Sequence, residues 1–510
     1  MLRPGPSGPR LRILLLHPPS PPLMNVGREW AGGYGTAVRS DRICYGSDPE
    51  YLAVPYMSLL FSASILERAG HEVDFVDAQI EALDDRAVAQ RVGELAPDLL
   101  VSVVNLPSLK GDLALLERVS SAAPQAMVVA VGTVCRGLPE EVLAGKAVAA
   151  AVEGDPEVVL PDLAQALCEG RPVSAVPGLR LHAGDDTEAA CVPAATCDWA
   201  TIPAPAYHLA PMHLYEHAFF GQRHRYAQVL TSRGCPFACS YYCPYPFGFG
   251  SKALFRDPSR VVDELTTLKK QLGVSFIIFR DQVFTLRRSH TEAVLEGMLE
   301  RGLGLDWICE TRVDRVDQAL LEKMRAAGCR QINYGLETGD KELFAARAKP
   351  GAAFADAEQA LEWTRKAGIE AHLHLIVGFP GETWQSVRRT ARVVAGLSVK
   401  EVGVAIMTPY PGTPLYSEAL ARGLILTRDW SEYTGFRPVM RTERLSAEDL
   451  VCAQSLVLRA HGRRGHLRRA VRSRLGRAWR GITGCRRGSS EQSAVRPSSS
   501  ATATRGDWEL

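Results

Sequence analysis

Cysteines at positions 235, 239 and 243 fall within nine residues, in the stretch Cys235-Pro-Phe-Ala-Cys239-Ser-Tyr-Tyr-Cys243, preceded by Arg233-Gly and followed by Pro-Tyr-Pro-Phe-Gly. Three thiolates on one loop suit soft-metal chemistry, either zinc or an iron–sulfur cluster. A closed structural zinc site asks for a fourth Cys or His nearby, and the next histidine is His290. Three protein ligands leave one metal position open, as a catalytic centre requires. The other nine of the 12 cysteines form no second close cluster, and isolated thiols of this kind are mostly buried small hydrophobes.

Further residues of chemical interest recur downstream: Asp281 in FRDQVF, Glu310 and Arg312, Glu337 in YGLET, His372 and His374, and Gly378-Phe-Pro380-Gly-Glu382. Residues two apart on a strand share one face, so Glu310 projects with Arg312 and His372 with His374. The competing reading of Glu310 and Arg312 is an internal ion pair. For each histidine a satisfied core role outweighs that of a proton donor.

These residues need a scaffold that gathers them. From Tyr226 onward, short apolar runs (AQVLTSRG, SFIIFRDQ, LDWICETRVD, QINYGLET, EAHLHLIVGFPGE, EVGVAIMTPYPGT) alternate with helical patterns at 259–272, 289–301, 317–327, 355–367 and 386–396. Six βα units in a row, each strand ending in a polar or Gly/Pro-rich cluster, predict a partial (β/α)6 barrel over 223–458 with its chemistry at the carboxyl ends of the strands. Upstream, RILLLH, HEVDFVD, DLLVSVV and AMVVAVG alternate with helices at 57–69 and 112–123. That pattern predicts a doubly wound parallel sheet of Rossmann-like type over 11–170, so the class is α/β. Ligands of such a sheet sit beyond the carboxyl ends of its strands, here the loops at Pro18, Asn105 and Ser108, Gly132 and Thr133, and Glu153-Gly154. No G-x-G-x-x-G follows the first strand, which weakens a dinucleotide reading. The Pro-, Ala- and Asp-rich stretch 171–222 reads as a linker with room for a small hairpin.

The loop Arg233-Gly-Cys-Pro-Phe-x-Cys-x-Tyr-Cys-Pro, at the end of the first strand of a six-fold βα series, resembles the radical S-adenosylmethionine (SAM) enzymes. The upstream doubly wound domain then resembles the subgroup with a cobalamin-binding domain, and the likeness runs from about Arg12 to about Leu458. It implies that Cys235, Cys239 and Cys243 hold three irons of a 4Fe-4S cluster whose fourth iron is chelated by SAM, and that one-electron cleavage of SAM yields a 5′-deoxyadenosyl radical. It further implies Asp281 near the SAM amino group, and Glu310 and Arg312 facing SAM and substrate. Glu337 would lie against the methionyl or ribose portion and Gly378, Pro380 and Glu382 against the adenine, with His372 and His374 as candidate substrate-facing groups. Pro18, Asn105, Ser108, Gly132, Thr133, Glu153 and Gly154 would hold the corrin and its nucleotide tail. One departure stands out: the family spacing is C-x3-C-x2-C, whereas this loop is C-x3-C-x3-C, as if Tyr241 or Tyr242 had been inserted.

Hydrophobic residues make up 46% of the 510-residue chain and charged residues 23%, as in ordinary globular proteins. No apolar run approaches the roughly 20 residues of a membrane span, and no signal peptide is read, so a reducing cytoplasm is expected. The net charge of +2 is uneven: from Arg459 on, 13 Arg face three acidic residues. Apolar positions within 459–488 follow helical spacing, which predicts a basic amphipathic helix. Peripheral membrane contact competes with simple packing on the barrel, and nucleic acid is disfavoured for want of an aromatic stacking platform. The Ser/Thr/Ala-rich end 489–510 reads as disordered.

The leading expectation is a cobalamin-dependent radical SAM C-methyltransferase of natural-product biosynthesis, acting on a small or lipid-linked substrate. Its electrons would come from a one-electron donor such as flavodoxin or ferredoxin. A radical cyclase of the same architecture and a noncatalytic corrinoid-binding scaffold are the alternatives. A methylthiotransferase is disfavoured because the first domain has no matching cysteine trio.

Overall fold

A computed structural model describes residues 10–22, 24–39, 52–182, 196–349 and 351–461. The basic amphipathic stretch and the terminal segment expected beyond Arg459 lie, but for the last three residues of a helix over 447–461, outside the described residues.

The chain opens with β1 (Arg12–His17), followed by a two-stranded hairpin of β2 (Met24–Gly27) and β3 (Thr36–Arg39). Next come β4 (Glu72–Asp77), β5 (Leu99–Val103), β6 (Met127–Val131), β7 (Ala150–Val152) and β8 (Leu179–Leu181). The first sheet runs β4-β1-β5-β6-β7-β8. β1 and β5 read as continuous apolar runs because parallel strands covered by helices on both faces are buried on both, and every residue of β5 is buried. The chain moves from β1 out to β4, then back across β1 to β5, so the strand order reverses between β1 and β5. A crevice outside the carboxyl ends is expected at such a switch point.

The hairpin lies over those ends. Its anchor is Arg28, which is 1% exposed and grips Asp112 with two nitrogens at 3.0 and 3.1 Å. The same guanidinium donates to Asn105 Oδ1 at 3.0 Å and to the carbonyls of Pro18 and Pro19 at 3.2 and 2.9 Å.

The second sheet begins with β9 (Glu216–Phe219) and β10 (Gln222–Val229), an antiparallel pair. A short pair, β11 (Ser232–Arg233) with β12 (Leu254–Phe255), brackets the cysteine loop. Then follow β13 (Phe276–Phe279), β14 (Asp306–Thr311), β15 (Cys329–Glu337), β16 (Glu370–Val377) and β17 (Glu401–Ile406). The order β17-β16-β15-β14-β13-β10-β9 is sequential and open, the partial barrel expected. Helices between the strands start where the sequence supplies caps: Asp257, Asp317, Thr383 and Thr413 each accept an N–H of the first turn, satisfying donors that the helix leaves open.

The stretch read as a linker is built into the fold. Leu179–Leu181 joins the first sheet as its antiparallel edge and Glu216–Phe219 the second. Between them Trp199, Ile202, Tyr207 and Tyr215 are buried in a core continuous with both sheets. Trp199 meets Phe61 edge-on at 5.2 Å, and the Tyr207 hydroxyl donates to the Gln228 carbonyl at 2.7 Å. Composition alone concealed these four anchors among prolines and alanines.

Candidate active site

The cysteine loop leaves β11 through Gly234, whose φ of +89° suits glycine; a Cβ there would stand 2.1 Å from the Lys252 carbonyl oxygen. A helical turn follows, in which the N–H groups of Tyr242 and Cys243 donate to the Cys239 carbonyl at 3.2 and 3.0 Å. Residues i and i+4 on such a turn share one face, and Cys239 and Cys243 line the same cavity. The residue beyond the family spacing is thus what completes the turn. The two tyrosines that follow have different partners. Tyr242 is buried, edge-on to Phe379 at 5.4 Å, with its hydroxyl donating to the Ala348 carbonyl at 3.0 Å. Tyr241 donates to Glu418 at 2.5 Å and lies under the Arg347 guanidinium.

All three cysteines line a cavity of about 460 Å³ inside the partial barrel. The hydrogen bond from Cys243, then the positive charges of Lys349 and Arg312, draw Cys239 toward its thiolate, while burial pushes Cys235 up. Among the described residues no group of three or more His, Cys, Asp or Glu converges tightly enough for a single metal ion. Cavity-facing thiols with adjacent cations fit the ligands of a larger, anionic cluster better than a mononuclear zinc site.

The same cavity is walled by Glu310, Arg312, Glu337, His372 and His374, so five of the expected strand-end residues come together. Glu310 and Arg312 are not partners. Glu310 pairs with Arg280, and Arg312 grips Asp314 at 2.8 and 3.0 Å while its guanidinium stacks 3.9 Å from the Phe237 ring. Glu337 pairs with Lys349 at 2.8 Å. The His372 and His374 rings stack at 5.0 Å. Burial, aided by His374 and His461, pulls His372 down to about 3, so it is neutral at physiological pH and is not a proton donor there.

Four expectations do not hold at this cavity. Asp281 points away from it, accepting from the Thr231 N–H and hydroxyl at 3.2 and 2.7 Å and from the Ser232 hydroxyl at 2.5 Å, which fixes the strand leading into the cysteine loop. Its neighbours Arg280 and Gln282 line the cavity instead, because successive extended residues face opposite ways; Gln282 accepts the Gly234 N–H at 2.9 Å. Gly378, Pro380 and Glu382 also lie outside the wall. Glu382 folds back onto the Gly378 and Phe379 N–H groups at 2.5 and 3.3 Å, and this closed loop braces Tyr242 through Phe379. Lys349, Arg280 and Gln282, which also line the cavity, were not among the expected site residues.

A larger cavity, about 1320 Å³, opens beside the hairpin and the segment that follows β5. Its walls come from Leu106–Gly111, Leu113 and Ala114, from Met24 and Val38 of the hairpin, from 428–432, Thr434, Phe436 and Arg437 and from Gln454 and Leu458. Of the seven first-domain residues expected to hold a corrin, Ser108 lines it. The others brace protein. Pro18 and Asn105 hold Arg28, and Asn105 also donates to the Gly33 carbonyl at 2.9 Å. The Thr133 hydroxyl donates to the Gly32 carbonyl at 2.6 Å, and Gly132 packs where a Cβ would meet the Val104 carbonyl oxygen at 2.5 Å. Glu153 pairs with Arg180, and the N–H groups of Glu153 and Gly154 both donate to the Gly178 carbonyl. The hairpin and β8 take up the hydrogen bonds that strand-end position alone assigned to a ligand. The volume exceeds the roughly 300–1,000 Å³ of pockets for drug-sized molecules and fits a ligand as large as a corrinoid.

Residues 229–394 match the radical SAM superfamily and residues 53–164 the B12 binding domain. An uncharacterized methyltransferase of Pyrococcus horikoshii is 27% identical over 397 residues, 78% of this chain and 85% of that protein. The anaerobic magnesium-protoporphyrin IX monomethyl ester cyclase of Cereibacter sphaeroides is 28% identical over 404 residues, 76% of this chain and 63% of that protein. In three dimensions the chain resembles TsrM, a radical SAM methyltransferase of Kitasatospora setae, with a TM-score of 0.64 at 21% identity over 81% of this chain and 76% of that one. With a B12 binding domain set against a partial barrel that turns three cysteines into its cavity, the chain carries a radical SAM domain and a B12 binding domain.

Proposed function

We propose that the protein is a cobalamin-dependent radical SAM methyltransferase that alkylates an unactivated carbon of a small, largely apolar natural-product intermediate. In this reading Cys235, Cys239 and Cys243 hold the cluster, the cavity beside Glu337 and Lys349 receives SAM and substrate, and the larger cavity beside the hairpin receives the corrinoid. When bound, these groups supply one-electron cleavage of SAM and a transferable methyl group. The chain's own residues bind and orient: Lys349 and Arg312 balance negative charge beside the thiolates, while Trp30, Phe237, Tyr242 and Tyr245 shield the cavity from water. The observation that carries the reading is the adjacency of the two cavities, one holding the three thiols and the other walled by the hairpin and the segment after β5, with Thr434 and Phe436 in common.

A flavodoxin- or ferredoxin-like donor is the expected reductant. No helix among the described residues is long and apolar enough to cross a membrane; contact with a membrane surface or a lipid-linked substrate rests on the basic stretch outside them.

Anaerobic reconstitution should load about four irons per chain, and the Cys235→Ala, Cys239→Ala, Cys243→Ala variant should lose them. Retention of iron by that variant would falsify the cluster assignment. Incubation with methyl-deuterated SAM and an extract of candidate substrates should yield a labelled product; a hydrogen-abstracted product without label would instead mark a cyclase.

A further inference from the structure

The two cavities lie back to back across the open edge of the second sheet. On β17, Gly403 and Ala405 face the smaller cavity and Val404 the larger. Beyond that edge the chain returns at 434–436, tied on by the Ile406 N–H donating to the Gly435 carbonyl at 2.8 Å. Gly435 has a φ of +80°, a conformation open to glycine at little cost. Among the described residues, Thr434 and Phe436 are the two that line both cavities. A closed barrel would have put another strand here; the open edge leaves two side chains as the partition.

We propose that Thr434 and Phe436 form the aperture between the corrinoid cavity and the SAM cavity, and so set how closely the two cofactors approach. The proposal rests on the functional reading above. It separates two fates of SAM by geometry. When the SAM methyl goes to cobalt, the S–CH₃ bond breaks, Co(I) supplies both electrons of the new bond, and S-adenosylhomocysteine leaves. That transfer crosses the partition, and near contact of the reacting atoms is essential to it. Reductive cleavage of SAM breaks the C5′–S bond with one electron from the cluster, inside the smaller cavity, releasing methionine and a 5′-deoxyadenosyl radical that becomes 5′-deoxyadenosine by taking a hydrogen atom from a C–H bond of substrate or, without one, of the medium. Thr434 and Phe436 are positioning residues for the first process and bystanders in the second.

The test uses the full chain reconstituted with iron, sulfide and hydroxocobalamin, with SAM as probe and titanium(III) citrate as the reductant of both metal centres. S-adenosylhomocysteine and 5′-deoxyadenosine are quantified by mass spectrometry, iron and cobalamin content by absorbance. The EPR spectrum of bound cob(II)alamin, with and without SAM, is a readout without turnover. Phe436→Trp, which fills the aperture, should lower S-adenosylhomocysteine at least about tenfold, a barrier increase near 1.4 kcal/mol. It should leave 5′-deoxyadenosine within about twofold and abolish the SAM-induced EPR change. Thr434→Leu adds bulk at the same place and should reproduce the split if the Trp variant fails to fold. Unchanged S-adenosylhomocysteine in fully loaded aperture variants overturns the proposal, as does a parallel loss of 5′-deoxyadenosine. Failure of the underlying reading shows separately: Ala114→Trp, on the wall of the larger cavity, must reduce cobalamin content, and normal loading there removes the corrinoid from this cavity whatever the aperture variants do.

Discussion

Arg233, two residues before Cys235, meets Glu157 of the first domain at 3.0 Å with both side chains buried. The guanidinium lies 5.4 Å from the Trp199 and Phe249 rings, and Asp155 approaches at 3.7 Å. Glu157 sits in the first turn of the helix Pro156–Glu169, where a negative side chain is favoured. The root of the cysteine loop is therefore tied by charge to the B12-binding domain. Removing one partner of a buried pair leaves the other charge uncompensated, at a cost of about 3–5 kcal/mol. Glu157→Gln, nearly isosteric, should lower the unfolding free energy by that order and reduce iron loading. A denaturation midpoint equal to wild type would show that the pair does not hold the two parts together.

The extra loop residue allows a second test. Removing one residue from a helical turn rotates the residues after it by about 100°, so deleting Tyr242 should turn Cys243 off the face it shares with Cys239 and lower iron content well below wild type. Tyr242→Phe keeps the turn and the contact with Phe379 but gives up the hydroxyl bond to Ala348, a loss of about 1 kcal/mol. It should load iron fully and unfold slightly earlier. Full iron content after deletion would mean that the loop tolerates either spacing.

How far the sequence could be read depended on whether its pattern carried phase. RILLLH and the cysteine trio announced themselves, one as a doubly buried strand and the other by residue type, and the structure places β1 at Arg12–His17 as expected. The run FIIF of β13 is buried throughout, so it gives no alternation from which to tell that Arg280 and Gln282 face the cavity and Asp281 does not. The first-domain ligands were chosen by their place after strands, and that logic assumed nothing lay above them. The hairpin carrying Arg28 does lie there, in a Gly- and Pro-rich stretch without periodicity. Likewise Lys349 follows a helical segment that shows no sign of returning to Glu337; the two meet through tertiary packing alone.

Glu382 ties stability to pH. Burial outweighs its hydrogen bonds from the Gly378 and Phe379 N–H groups and, with Asp340 nearby, lifts its carboxyl to about 7 from 4.5. Between those values the folded protein holds a proton that the unfolded chain has released. The contribution is thus fully present below about pH 4.5 and is lost as pH rises through 7. Glu382→Gln keeps an acceptor oxygen and removes the titration. Between pH 5 and 8 the wild type should lose unfolding free energy relative to this variant, by an amount on the order of 3 kcal/mol at most. Parallel pH profiles for the two proteins would refute the assignment.

Glu337 stands at the end of β15 with φ at +65°, a left-handed conformation that costs a residue with a side chain about 1–2 kcal/mol. Strain of this kind persists where surrounding contacts enforce it, and here Lys349 does so from 2.8 Å across the cavity wall. Gly335 makes room: a Cβ there would lie 2.3 Å from Glu337 Oε1 and 2.9 Å from Lys349 Nζ. The pair presents both charges to the space beside the cysteines, where a zwitterionic amino acid group such as that of SAM has a use for each. Lys349→Met should therefore weaken SAM binding to the reconstituted enzyme at least about tenfold, or 1.4 kcal/mol, and Lys349→Arg should stay within about threefold, both measured by calorimetry at equal iron content. If Lys349→Met instead binds SAM normally but loses iron, the lysine serves the thiolates, with Cys239 as its partner.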